Sequence, residues 1–572
     1  MGIKSPVTLS SSPASFYTAN DSETHESTTH ESTTASSPVQ AALGPYREAR
    51  QLPRELKDHC QIFLEEQIYT CAINLLNSTL GSGLSRKAPT RKAVQVPPPS
   101  HIALLGTLVV HPLHTTRADK PELLAVSALA LDYLRNLLTI AGPINAGFRA
   151  AFQFYSAPRW GRRSGHTGHA SDSDTSDSDS DGHLDNLQGI LANEASVWSR
   201  GQDLWSTVGW AFNTATMHPH RWRYWKVWLE LLLDVLDADW TERERLDQEA
   251  HEAGGKRLDE PVTSRAESMI CMYMDQQDGR QTGYKRIMKA LFADGGSLSS
   301  SAFPEVFERE PRGPKKTSRK RKREQALDLE NDKFGDYFDE DSMSSGISEP
   351  PTPEKRRDGR KETSFGCSNP GLIESINLRL RFFRLISAAT YMLRRRSSLN
   401  QLYEDFAVNI KVLPLQIFAL FVSQRDNPLL PETHVTITKE LFHLLLPSRY
   451  KDPRSVDPAG DALGSLTMPM LEHCYMSSPA NTVGLEDNAK LSLVVENAMQ
   501  LLWICDMVEH TDSFAEAAER GIEAREAKAK KKRTGKMRAD AGDVVAQAVL
   551  AGSSERIRLL LQLLEASAAT EE

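Results

Sequence analysis

Apolar residues recur at three- and four-residue steps along most of this chain, and a period of two persists almost nowhere. Leu56, Ile62, Phe63, Ile68, Ala72, Ile73, Leu75, Leu76 and Leu80 follow that spacing and stop at Gly81-Ser82-Gly83. They predict one or two amphipathic helices with a glycine terminator. Arg86–Ser100 reads as a basic, proline-rich loop. Further helices are expected over His101–Val110, ended by His111-Pro112, and over Pro121–Ile140, ended by Gly142-Pro143. Pro121 suits a first helical turn, and Glu122 beside it meets the positive end of the helix dipole. Another helix is expected from about Ala146 to Tyr155.

The pattern resumes near Gln188 with an unusual aromatic load. Eight of the nine tryptophans fall between Trp160 and Trp240. Trp222, Trp225 and Trp228 step by three ahead of Leu229, Leu232 and Leu236, as residues on the core face of a helix do. With Arg221, Arg223 and Lys226 beside them, they also have the composition of a base-stacking platform. A helical stretch over Thr263–Phe292 closes at Gly295-Gly296. Leu372–Leu393 is strongly amphipathic, with Ile376, Leu380, Phe383 and Ser387 on one stripe and Arg379, Arg381 and Arg384 near it. Helical spacing continues through Leu402–Asn409, Leu415–Ser423, His434–Leu446 and Leu485–Val508, punctuated by Pro428, Pro431 and Pro447. From Glu516 to Arg538 acids lead and bases trail, which fits the helix dipole. A last apolar helix, about Val544–Leu564, should dock on the second block or on a partner.

These elements define an all-α fold of two irregular helical-hairpin, α-solenoid-like blocks. The expected organisation is a disordered Ser/Thr-rich tail at 1–45, then block one at 46–300 with a disordered Ser-Asp insert at 158–186. A disordered linker at 301–370 separates it from block two at 371–515, and 516–572 hold the charged and C-terminal helices. Tail and linker lack the apolar residues needed to offset their ordering entropy.

Composition narrows the function. The chain of 572 residues carries a net charge of -8, so any basic surface must be local. Its six cysteines show no Cys-x-x-Cys pair, as expected in a reducing compartment. We read no apolar run as long enough to span a bilayer, and no membrane association is expected. His111, His114, His218 and His220 cluster near prolines without a carboxylate or cysteine set, so neither a metal nor a cofactor is expected. Phosphate loops, nucleophile elbows and zinc-protease helices are absent, and the chain is read as non-enzymatic.

The chemistry that remains lies in the linker and the Ser-Asp insert. Lys315, Lys316 and the run Arg319, Lys320, Arg321, Lys322, Arg323 form an extended, proline-flanked strand of cations. An import receptor's acidic groove can grip such a strand, and nucleic-acid phosphates could meet the same chemistry. Thr352-Pro353-Glu354-Lys355 matches the preference of cyclin-dependent kinases, and phosphate there would partly cancel Lys355, Arg356 and Arg357. Ser171, Ser173, Ser176 and Ser178 alternate largely with aspartates and suit acidophilic kinases. Phe334, Tyr337 and Phe338 are exposed aromatics in a polar segment, the usual form of a groove-seeking anchor. Asn331 to Phe338 also resembles the sliding-clamp-binding peptides of replication and repair proteins, departing from them at Asn331 and Phe334.

The expectation is therefore a nuclear α-helical scaffold or adaptor in a chromatin- or chromosome-maintenance complex. Its partners would be proteins of that complex and a nuclear import receptor. The alternative is direct nucleic-acid binding through the basic runs and aromatics.

Overall fold

The computed structural model describes residues 45–82, 92–154, 187–254, 263–278, 283–312, 369–393, 396–423, 427–531 and 541–571. The fold is all-α, with helical blocks on either side of residues 313–368. Among the described residues the exception is one two-stranded parallel sheet. Strand β1 (Ala49–Gln51) pairs with β2 (Val94–Val96), Arg50 lying opposite Gln95. Sequence reading assigned 94–96 to a loop, because three residues are too few to display a period. Parallel strands need a crossover, here α1 (Arg54–Glu65) and α2 (Tyr69–Ser82).

Helix α3 (Pro99–Val110) is buried on nearly every side, so its apolar residues trace no single stripe. It packs on α4 (Pro121–Asn145), which is long and apolar enough to cross a membrane by length and composition, contrary to our reading of the sequence. Here α4 buries Val126, Ala130, Tyr133, Leu134 and Leu137 against its neighbours. Gly142-Pro143 kinks α4 without ending it. Gly142 has φ of +79°, and a Cβ there would lie 2.4 Å from the ring of Tyr46, so two constraints require glycine. After the kink only a short α5 (Phe148–Ala151) forms, less than the sequence predicts.

Past residue 187 come α6 (Val197–Arg200), α7 (Leu204–Met217) and the long α8 (Pro219–Gly254). Trp198, Trp205, Trp210, Trp222, Trp225 and Trp228 are core, and Trp240 is partly buried against it. Trp198 stacks on Phe152 with ring centroids 4.5 Å apart, and Trp225 meets Trp228 edge to face at 5.4 Å. The expected stretch 263–292 divides into α9 (Thr263–Ala266), α10 (Met269–Asp278) and α11 (Gly283–Leu291). The first break has a visible cause. Asp239 of α8 is buried, accepts from the Met269 backbone N–H at 2.7 Å, and so caps α10 from outside. Helix α12 (Ser297–Ala302) follows.

The boundary drawn at residue 301 is displaced. Phe303, Val306, Phe307 and Glu310, assigned to the linker from the sequence, are buried in the first block. Three apolar side chains at three- and one-residue steps bury area that a solvated linker would leave exposed.

The second block opens with α13 (Pro370–Met392), α14 (Arg396–Lys411), α15 (Leu415–Val422) and α16 (Pro431–Leu445). Short helices α17 (Pro453–Val456), α18 (Pro458–Ala462) and α19 (Met468–Met470) lead into a π-helical turn at Leu471–Met476. Then come α20 (Leu485–Ile504), α21 (Asp512–Lys531) and α22 (Ala541–Glu571). As one of the two expected outcomes requires, α22 docks within the block, lying along α20.

Helix α13 joins the blocks by packing on α7, α8, α10 and α11. Gly371 lets it approach, since a Cβ there would sit 2.4 Å from the Ala215 carbonyl oxygen. Arg379 is fully buried and forms no ion pair among the described residues, although Asp294 lies near enough to favour its charge. Its guanidinium lies 4.1 Å over the Phe212 ring and donates to the Leu291 and Ala293 carbonyls at the end of α11. Burial lowers its pKa to about 9, leaving it cationic at neutral pH. A charge ladder lines the rim: Arg381 reaches Asp234 at 2.8 Å and Asp237 at 2.6 Å, and Arg384 reaches Asp237 at 2.6 Å. One apolar core runs unbroken from Leu52 to Leu564.

A protease site inserted between residues 313 and 368 of the full chain and then cut should leave the two pieces eluting as one species in gel filtration. Two separate peaks in native buffer would contradict the continuous core.

Candidate functional site

The described chain stops at Arg312 and resumes at Asn369, and both ends are held by the same hairpin, the end of α7 and the first turns of α8. On the departing side, the Glu310 carboxylate is buried and accepts from four donors. These are Trp210 Nε1 at 2.8 Å, Trp225 Nε1 at 2.5 Å, Arg221 Nε at 2.7 Å and the Phe307 backbone N–H at 3.3 Å. Arg221 spends its other donors on Thr115 Oγ1 at 2.6 Å and the Val110 carbonyl at 2.7 Å. A buried ion pair is tolerated when its remaining lone pairs and protons are satisfied, and this one is. Burial pulls the Arg221 guanidinium below its usual value, and the adjacent Glu310 opposes that shift.

On the returning side, Asn369 Oδ1 accepts from the Gly371 N–H at 3.1 Å, capping α13. Its Nδ2 donates to the Thr216 carbonyl at 3.3 Å. One turn on, Glu374 accepts from Trp222 Nε1 at 3.2 Å and pairs with Lys226 at 3.1 Å. Residues 216–226 therefore carry both anchors of the segment 313–368. The junction offers positioning, not acid–base or nucleophilic chemistry.

The sequence-predicted site residues lie outside the described residues. That holds for the cations Lys315, Lys316 and Arg319–Arg323, for Thr352, for Ser171, Ser173, Ser176 and Ser178, and for the anchors Phe334, Tyr337 and Phe338. The tryptophan-rich helix is described, and Trp222, Trp225 and Trp228 are buried, which leaves those rings no face for a base. His111 and His114 sit in the core beside Phe307 and Tyr69. Among the described residues, no group of three or more His, Cys, Asp or Glu could hold a metal ion.

A second polar cluster surrounds the π-helical turn, a device frequent at functional sites. Tyr475 stacks on Phe442 at 4.4 Å, and the Tyr450 hydroxyl bonds to His443 Nδ1. Burial pushes the Cys474 thiol up to about 11, so it is protonated at neutral pH and a poor nucleophile. Arg525 of α21 donates to the last carbonyl of the turn, Met476 O, at 2.9 Å.

Sequence reading missed Glu310, Arg221 as its partner, and Arg379 as a helix cap. The available signal was Phe303, Val306 and Phe307 ahead of Glu310, an apolar group too short to mark a helix. No family model, curated protein or solved structure matches the chain.

Glu310→Gln should destabilise the protein by about 3–5 kcal/mol, because it strands a buried guanidinium. Pairing Glu310→Leu with Arg221→Met should not recover that loss, because the Trp210, Trp225 and Phe307 N–H groups would still lack their acceptor. Urea denaturation tests both, and a cost below about 1 kcal/mol for Glu310→Gln would remove the carboxylate from its central place.

Stability should also fall in mild acid. Burial, then the neighbouring charges His114, Arg221 and Arg117, lower His111 to about 3, and burial lowers His434 to about 4. Both lie below the 6.5 of an unfolded chain, so the unfolded state takes up protons first as pH drops. Their contribution is complete above about pH 6.5 and declines toward pH 3–4, at up to about 1.4 kcal/mol per pH unit for each imidazole. His111→Asn keeps a capping acceptor and should reduce the slope of stability against pH between 6.5 and 4.5; an unchanged slope would rule out His111 as a contributor.

Proposed function

We propose that this protein is a non-enzymatic α-helical scaffold or adaptor subunit of a nuclear complex that maintains chromatin or chromosomes, regulated by phosphorylation of the segment 313–368. The observation that carries this reading is the shared anchorage of that segment. Glu310 and Asn369 grip one hairpin, so the cations, aromatic anchors and Thr352-Pro353 belong to a stretch that begins and ends on one packed body. A partner or kinase can engage the stretch without separating the helical blocks. The helical body supplies the rigid frame, and the stretch supplies the linear signals.

Import is assigned to Lys315, Lys316 and Arg319–Arg323, with Thr352 phosphorylation weakening the charge of Lys355, Arg356 and Arg357 nearby. The chromosomal assignment rests on the pairing of an import run with a cell-cycle kinase site. Direct nucleic-acid binding through the basic runs and aromatics is the weaker reading, because the buried tryptophans no longer support it as a base-stacking platform.

Replacing Lys315, Lys316 and Arg319–Arg323 with glutamine should shift a fluorescent fusion of the full chain from nucleus to cytoplasm. Unaltered nuclear concentration would sink the import assignment. Affinity purification from nuclei, with and without phosphatase, should return partners of one chromosomal machine whose recovery changes in Thr352→Ala.

A further inference from the structure

Helices α20 and α22 run parallel. Ser492 Oγ donates to Ser553 Oγ at 3.0 Å, and Arg556 grips Glu496 at 2.6 and 2.9 Å. The offset between partners is thus 61 and then 60 residues. Carried two turns further, that register brings Trp503 level with Leu563 at the carboxyl end of α20. There the burial fails. Trp503 is 45% exposed, Ile504 69%, Met507 47%, Leu559 54% and Leu563 43%. On the other flank of α22 a groove of about 410 Å³ opens against α21, lined by His510, Ala515, Glu516, Arg558, Leu561 and Glu565 among others.

The edge of the exposed apolar end is anionic: Asp506 and Glu509 are exposed and form no ion pair among the described residues. Two arginines of α22 are already matched, Arg556 with Glu496 and Arg558 with Glu519 at 2.8 Å. Scattered exposed apolar residues are ordinary, but a tryptophan with four aliphatic or thioether neighbours at the end of a helix pair has the composition of a binding hot spot.

We propose that this end of the α20–α22 pair docks a cationic amphipathic helix of a partner protein. Its apolar face would cover Trp503, Ile504, Met507 and Leu563, while its Lys/Arg flanks meet Asp506 and Glu509. Helix-in-groove recognition uses that division of labour. A second copy of this chain fits poorly, because a two-fold contact would bring the same acidic rim against itself. The inference stands on the geometry of the second block and does not rest on nuclear location or on phosphorylation.

The test uses the full chain and a fluorescein-labelled amphipathic leucine/lysine 18-residue helical peptide, titrated by fluorescence anisotropy at several salt concentrations. Binding should weaken about tenfold or more in Trp503→Asp/Met507→Asp, although that variant is more acidic. Both side chains are exposed, so its thermal transition should match the parent's. Asp506→Asn/Glu509→Gln should weaken binding at low salt and flatten its salt dependence. Absence of peptide binding overturns the proposal. So does equal or tighter binding by the aspartate variant, which would mean adhesion by charge alone. Sedimentation showing a dimer that the aspartate variant splits would assign the surface to a second copy and overturn the partner helix.

Discussion

A single carboxylate, sealed among two indole N–H groups and a guanidinium, ties the first half of this molecule together. Glu310 lies 89 residues from Arg221 in sequence and 100 from Trp210, yet it accepts from both. Taking a carboxylate out of water is costly unless each lone pair finds a donor. Four donors meet it here, and they come from α7, α8 and the Phe307 backbone. The same guanidinium reaches back to Val110 at the end of α3 and to Thr115 just after it, so the network couples the N-terminal helices to the last described residues before 313. Trp210 and Trp225 are therefore more than bulk: their size fills the core and their single polar atoms solvate a charge.

The union of the two blocks follows a different logic. Helix α13 is seated by apolar contact, by Gly371 at the point of closest approach, and by Arg379, which neutralises the carbonyl end of α11. Lysine could not span two carbonyls, a serine and a phenyl face at once; the planar fork of arginine does. The Asp234–Asp237–Arg381–Arg384 ladder at the rim fixes the register of α13 along α8 more than it adds stability, since partly exposed ion pairs contribute little. A continuous core of this kind means that the chain on the two sides of 313–368 forms one mechanical unit.

Periodicity made the long helices legible. The cores of α8, α13, α16 and α20 were marked by apolar spacing, and the end of α16 by Pro447. Features set by distant residues were hidden. The break between α9 and α10 is imposed by Asp239 from another helix, and β1 with β2 is too short to show a pattern. Burial of 303–310 depends on a carboxylate whose partners lie elsewhere in the chain. Arg379, Arg381 and Arg384 were visible as a basic group beside an apolar stripe, but sequence alone does not divide them into one buried cap and two rim contacts. The candidate linear motifs fall where the chain is not described, so the legible fold and the legible signals occupy different residues.

Synthesis on the ribosome is directional, and the wiring of Glu310 makes that direction matter. At roughly 5–20 residues per second, the 89 residues separating Arg221 from its acid take on the order of 5–20 seconds to emerge. During that interval the tryptophan-rich hairpin has neither its counter-charge nor the Phe303–Phe307 cover, and α13 is still further away. A nascent chain of this design presents a large aromatic surface early and closes it late.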